Sequence, residues 1–383
     1  MRRKEIYMQT QGVLQHFYDN EVEKRRLKYL LLLEDFFQAS KGKLADDFRM
    51  SFQKICQQLK QQQTLQQKGP IAHITFSMLR TELLESNPHY LVEATDEEWF
   101  FDIHPLLTTY DAGWAHHFLE QYIEELSLYS KTFMGAITQA DIDRIRLQDA
   151  KHFHQYVISL ARYALPDIIR CPEYLALDRD VAVEIRVGEF MDMNEVVYSE
   201  DFSAKDSEEI KAWLDEQLEE AYPYEVFSHL NLAGGRYEGL DIRYAFFHKA
   251  NLTNCHMREC LLIGTSFRES QLMDTDLSFS TIYEADFSNS QLQGANFQQV
   301  QGASGLLDRQ KWEIPGYLPV RFTDANLEGA NFELANLRGA SFMGANVRNT
   351  TFAGANLEMA IFSKEAQEDL KLDPFQAASV IWK

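Results

Sequence analysis

Two stretches of the chain carry side chains able to do proton or metal chemistry. His116, His117, Glu120 and Glu124 fall within one expected helix over 112–135, and Asp149, His152 and His154 within the next, over 138–163. His117 with Glu120, and Asp149 with His152, stand three residues apart, so each pair shares one side of its helix. Imidazoles and carboxylates facing one another across two antiparallel helices could hold a metal or work as acid and base. The Glu-x-x-His pattern of di-iron bundles is missing, and no further helix supplies matching carboxylates. The expectation is therefore neither metal nor cofactor, with His117, Glu120, Asp149 and His152 the residues on which a catalytic reading would rest. GxSxG, P-loop, strand-linked GxGxxG and HExxH motifs are also missing, which sets aside the familiar hydrolase, nucleotide and metalloprotease chemistries.

A second constellation is of a binding kind. The segment 188–201 puts Glu189, Asp192, Glu195, Glu200 and Asp201 beside Phe190, Met191 and Met193. An acidic rim with aromatic and thioether contacts suits a basic or extended peptide. Trp312 and Tyr317, in a stretch rich in turn residues, mark another place where a partner could dock. His73, His89 and His104 are isolated and carry no assignment.

These side chains need a scaffold. Residues 2–66 show helical spacing, as in Tyr29, Leu32, Leu33 and Phe36, and end at a Gly69-Pro70 break. The alternation across 72–103, with turn residues Ser86, Asn87 and Pro88, predicts a hairpin. Strands are expected at 181–188 and 195–198, and a helix over 206–220 opened by a capping box from Asp206 to Glu209. Together these describe an α+β domain over 1–225, mostly helical.

From Leu232 to Phe297, and again in the same phase from Phe322 to Phe362, an apolar residue recurs at every fifth position, giving 14 and 9 centres. At ordinary apolar usage, such a run arises by chance on the order of once in 10⁸. Two residues before nearly every centre stands a small residue, and just before it often Asn or Asp, as in Ala325-Asn326-Leu327. A period of five suits neither helix nor strand. It suits a square coil with one pentapeptide per side, large and small residues sharing a narrow interior and strands of adjacent coils about 4.8 Å apart. Segment 325–347, ANLEGANFELANLRGASFMGANV, resembles the pentapeptide-repeat family, whose consensus is Ala-(Asn/Asp)-Leu/Phe-x-x. The resemblance covers about 130 residues and implies a right-handed quadrilateral β-helix of about six coils over 229–363. It also implies that Cys255 and Cys260, at small positions, fill the core. Gly302, Trp312 and Tyr317 would be poor centres, so 300–319 is expected to leave the coil through a short helix over 306–312 and a Pro-Gly turn. The tail, 364–383, is expected to cap the last coil; in some relatives such a tail dimerises, which makes Phe375, Val380, Ile381 and Trp382 homodimer candidates.

The chain has 383 residues and a formal net charge of −21. Residues 1–172 carry a net of −3, residues 173–225 a net of −13 and residues 229–383 a net of −5. Such acidity argues against direct binding to nucleic acid or to an anionic membrane, and places the acidic stretch just ahead of the first coil. Residues 1–11 are positive but lack the apolar core of a leader peptide, and the four cysteines form no disulfide or zinc pattern, so the cytoplasm is expected. The leading reading is a non-catalytic scaffold that binds a protein or peptide. The family resemblance implies an alternative, a DNA mimic that binds type II topoisomerases and protects them from inhibitors. A third reading is a peptide-modifying enzyme, or a maturation accessory, working through the N-terminal domain.

Overall fold

The computed structural model describes residues 12–219 and 221–383; the leader-peptide reading of residues 1–11 lies outside them. By contacts the chain divides into two units. One runs to Glu200 and includes Leu306–Pro315; the other comprises Asp201–Gly305 and Gly316–Lys383. The division thus falls at Glu200, ahead of the expected boundary at 225.

In the first unit, a π-helical turn Tyr18–Val22 leads into helix α1, Glu23–Thr64. Its buried side chains Leu30, Leu33, Phe37, Leu44, Phe48, Phe52, Ile55 and Leu59 recur three or four residues apart, with one two-turn step of seven from Phe37 to Leu44, which makes one apolar stripe. Helices α3, Gly113–Ser130, and α4, Gln139–Ile168, pack with it. Thr138 opens α4 with a reciprocal capping box to Asp141, so two orphan amide groups are satisfied at its start. The three helices cover one face of a five-stranded sheet of order β3-β2-β1-β4-β5. Its strands are β1 Ile71–Met78, β2 His89–Thr95, β3 Leu106–Asp111, β4 Arg179–Glu189 and β5 Asn194–Asp201. β1 pairs antiparallel with β2 and parallel with β4, and β2 pairs antiparallel with β3. The connection from β1 to β2 carries a short helix, α2 Arg80–Leu84, before Ser86 turns the chain with a positive φ. A second short helix, α5 Pro172–Leu175, precedes β4.

Alternation decides which sheet residues meet the helices. Ile74 and Phe76, Tyr90 and Val92, and Val183, Ile185 and Val187 are buried on the helix side. Phe48 of α1 meets Phe76 at 5.5 Å and Tyr110 at 5.3 Å between ring centroids.

The second unit is a β-solenoid. Parallel bridges join residues twenty apart, from Val226↔Phe246 onward, at one position in every five. Centres and small positions are buried almost without exception. Phe227, Phe247, Phe267, Phe287, Phe322, Phe342 and Phe362 form a continuous ring stack with centroids 4.6–5.2 Å apart. Polar small residues are satisfied inside: Thr265, Thr275, Ser280 and Thr350 each donate to the carbonyl 23 residues earlier, at 2.7–2.9 Å. Cys255 and Cys260 do the same toward Leu232 and Tyr237, and burial pushes their thiols up to about 11 and about 12. Gly235 departs from the small-residue pattern because a Cβ there would run into the Tyr237 ring.

The frame carries on through Gln301, which bridges both Thr281 and Asn336. Bridge partners are then 35 residues apart instead of 20, as in Asp286↔Arg321. The insertion is thus fifteen residues, three pentapeptide steps, which is why the phase survives it. No helix forms over 306–312, contrary to expectation: the loop is irregular and closed at its base by reciprocal backbone bonds between Gly305 and Tyr317. Gly302 remains inside, where a Cβ would crowd Ile282 and Val320, so a centre without a side chain is tolerated.

Helix α6, Ser207–Asp215, and Tyr222 close the N-terminal end of the coil, with Leu214, Tyr222 and Phe227 buried in its core. Asp206 caps α6 through the Glu208 amide alone; the expected reciprocal box with Glu209 does not form, and the helix stops at Asp215. At the other end lie the short strands β6 Ser341–Phe342 and β7 Ile361–Phe362, helix α7 Pro374–Ser379 and strand β8 Ile381–Trp382. β8 pairs with β7 in the coil's own twenty-residue register. Buried Gln376 donates to the Phe352 and Ala355 carbonyls at 2.7 and 2.9 Å, occupying acceptors that a next coil would have used.

Candidate functional site

On the sheet face away from the helices, the outward residues are His73, Thr75 and Ser77 of β1, Leu91, Glu93 and Thr95 of β2, and Glu184 and Arg186 of β4. Two loops rise beside this face. One follows β2 and carries Trp99, Phe100, Asp102 and Pro105; the other joins β4 to β5 and carries Phe190, Met191 and Asp192. Between them lies a cleft of about 610 Å³, lined also by Thr75, Ser77, Glu93, Thr95, Glu189 and Asn194. Four of its lining residues are carboxylates and none is cationic.

The cleft's charges differ in their compensation. Lys68, itself buried, binds Asp102. Burial raises the Asp102 carboxyl, but Lys68 and the His104 and Asp96 amides outweigh it, so the net shift is downward. Arg80 binds both Glu189 and, at 3.1 Å, Asp192. Glu93 has no such partner, and burial alone holds its carboxyl above the usual range. The Thr95 hydroxyl is buried with no hydrogen-bond partner. Trp99 is stacked by His73 at 4.5 Å and lies under Arg186 at 4.9 Å. Trp99 and Met191, one on each wall, sit at φ +49° and +54°, a strained region for bulky residues.

Glu189, Phe190 and Asp192, singled out from sequence, therefore line one cleft. Glu195 does not: it pairs with Arg162 at 2.6 Å. Glu200 binds Arg179 and accepts from Tyr174 and Tyr198, and Asp201 pairs with Lys205. Much of the acidic stretch thus serves the fold instead of forming one exposed patch. Trp312 donates to the Tyr156 hydroxyl at 2.9 Å and meets His152 edge-on at 5.3 Å, while Tyr317 stacks on Tyr283 at 4.2 Å. Both rings are engaged within the chain.

The four residues of the catalytic reading go to separate duties. His117 is exposed and bonds Gln121; Glu120 binds Arg146 and Ser86. Asp149 accepts from Tyr122 at 2.6 Å and pairs with Arg26 at 3.0 Å, with His152 4.0 Å away. Instead, His116 and His154 meet through the Tyr90 hydroxyl, at 3.2 and 2.8 Å, in a fully buried triplet. Burial lowers His116 to about 4 and His154 to about 3, so both are neutral at pH 7. Among the described residues no three His, Cys, Asp or Glu side chains group as a metal site requires. Sequence reasoning missed Glu93, Thr95, Thr75, Ser77, Trp99 and Phe100. Their signal was the polar alternation in 72–103 and the aromatic run at 99–101.

Residues 242–278, 270–301 and 321–362 match the family described as Pentapeptide repeats (8 copies), so the C-terminal part of the chain is a pentapeptide-repeat region. Solved structures of such proteins are similar to it. QnrB1, a plasmid-mediated fluoroquinolone resistance protein, is 18% identical, over 42% of this chain and 78% of that one, with a TM-score of 0.17. A pentapeptide repeat protein from the Arabidopsis thaliana thylakoid lumen is 23% identical over 39% and 72%, with a TM-score of 0.17. HetL of Nostoc, involved in heterocyst differentiation regulation, is 17% identical over 42% and 98%, with a TM-score of 0.13. No curated protein sequence matches the chain. Among the described residues no helix is long and apolar enough to cross a membrane.

Proposed function

We propose that the protein is a non-catalytic binding protein whose N-terminal unit receives a segment of a polypeptide partner in the cleft over the open sheet face. The observation that carries this is the cleft itself, about 610 Å³ with four lining carboxylates, no lining cation and walls of Trp99, Phe100, Phe190 and Met191. Pockets of this size with apolar walls and a few placed polar groups are where proteins bind ligands, and this lining matches a basic segment with apolar neighbours. The absence of convergence among His117, Glu120, Asp149 and His152 supports binding over catalysis. For the solenoid we infer a rigid scaffold of four sides, because each twenty-residue coil has four bridge positions, wound right-handed as the family resemblance implies. We take 364–383 as its cap. Four free cysteines, three of them buried, support a reducing compartment such as the cytoplasm.

An array of unrelated short peptides, probed with the purified full chain, tests the binding reading. Retention of peptides that combine basic and apolar residues is expected, with retention lost in a Phe190→Ala/Met191→Glu variant. An array on which nothing is retained, or on which that variant retains the same peptides, would overturn it.

A further inference from the structure

We propose that the cleft reads lysine: the side-chain ammonium of an extended peptide seats between the Glu93 carboxylate and the hydroxyls of Thr95, Thr75 and Ser77. The inference rests on the peptide-binding reading above and names what that site selects.

Two independent observations place the cation there. The first is charge: Asp102 has Lys68, and Glu189 and Asp192 share Arg80, whereas Glu93 has no cationic partner among the described residues. The second is the Thr95 hydroxyl, 6% exposed, lining the cleft and without a hydrogen-bond partner. Buried hydroxyls are almost always bonded, so an orphan facing a cavity points to a ligand that supplies the bond.

Strand register then selects the kind of cation. Thr75 lies directly opposite Glu93 across the β1–β2 pair, Ser77 is two residues along β1 on the same face, and Thr95 is two residues along β2. One carboxylate is therefore ringed by hydroxyl oxygens, an acceptor set that suits the three diverging N–H groups of an ammonium. A guanidinium needs a flat carboxylate fork and gains from a free aromatic face. Trp99, the aromatic face on the cleft wall that would serve a guanidinium best, is already engaged by His73, Arg186 and Phe100. The methylene stem of a lysine would lie along Phe190 and Met191. The raised carboxyl of Glu93 fits a partly buried anion awaiting its counter-ion.

Fluorescence anisotropy with the full chain tests this, using a labelled Gly-Leu-Lys-Leu-Gly peptide, its acetyl-lysine form and its arginine form. Acetylation is expected to weaken binding tenfold or more, and arginine to bind several-fold less tightly than lysine. Glu93→Gln should lose the lysine peptide by a similar factor without a lower Tm, because it removes an unpaired, partly buried charge; Thr95→Val should lose less. Equal binding of lysine and acetyl-lysine peptides, or unchanged lysine binding by Glu93→Gln, would overturn the lysine assignment alone. Peptide bound in that case but released by Phe190→Ala/Met191→Glu would leave the binding reading standing. Binding of none of the three peptides, with an empty array, would remove both.

Discussion

Phe267 in the solenoid meets Phe247 twenty residues behind it and Phe287 twenty ahead, whereas Phe48 in the N-terminal unit meets Phe76 and Tyr110 from two different strands. In the first region a residue's neighbours follow from its phase, since each coil repeats the one beneath. In the second they follow from how helices and strands of unlike sequence come to pack. Polar groups divide in the same way. Thr265, Thr275 and Thr350 reach acceptors at one fixed interval, while Tyr90 reaches His116 and His154 from separate helices. A quasi-one-dimensional array fixes function into a surface of repeated form; an irregular α+β unit can assemble an unrepeated cleft.

The largest expected break in this comparison is Phe287→Ala. It would interrupt the stack between Phe267 and Phe322 and cost about 3–5 kcal/mol, measured as a shift in denaturant midpoint. A smaller but more telling effect is acid. His116 and His154 are held low by burial, so the native state binds fewer protons than the unfolded chain below the ordinary histidine value of 6.5. Their contribution to the stability of the N-terminal unit is then complete above pH 6.5 and falls as pH drops toward 4, by about 3 kcal/mol for His116. The groups facing this triplet are Tyr110, Asp111, Arg146 and Glu189. In the solenoid, burial raises the Asp286 carboxyl, but Arg321 and Arg268 outweigh it and bring it to about 2. Its contribution is present above 3.8 and is lost only as pH falls through about 2. Hydrogen exchange at pH 7 and pH 4.5 should therefore show protection lost first in α3 and α4 and retained in the coils; equal loss in both would contradict the assignment.

Trp312→Phe should cost about 1 kcal/mol, since only the indole donor to Tyr156 is removed while ring packing is largely kept. A thermal melt followed at α4 would register it; no change would mean that solvent replaces the bond fully. The smallest effect is Glu93→Gln. With its folded value raised, the glutamate loses stability as pH rises, so the amide should leave Tm unchanged or slightly higher at pH 7. A clear fall in Tm would recast Glu93 as a structural residue.

The coil was readable because a fifteen-residue insertion keeps the five-residue phase, so Phe322 still stacks on Phe287. The loop itself was not, since Leu306–Pro315 is held by long-range contacts, Arg309 to Asp35 at 2.9 Å and Trp312 to Tyr156. Helix spacing singled out His117 and His152 by their distance from Glu120 and Asp149, but only packing decides which side of α3 and α4 faces Tyr90. Glu189, Phe190 and Asp192 could be picked out as an acidic aromatic segment. Their joining to Glu93 and Thr95 depends on β1 lying between β2 and β4, an order that no local pattern encodes.

What the amino-acid sequence determined by itself is the solenoid: its period, its large and small interior positions and its inert thiols. A repeat contacts only its neighbours, so local pattern and tertiary contact carry the same information. What only the tertiary structure decided is the cleft and the charge balance within it. Strand order and register brought Thr75 opposite Glu93, and long-range ion pairs gave cations to Asp102, Glu189 and Asp192 while leaving Glu93 with none.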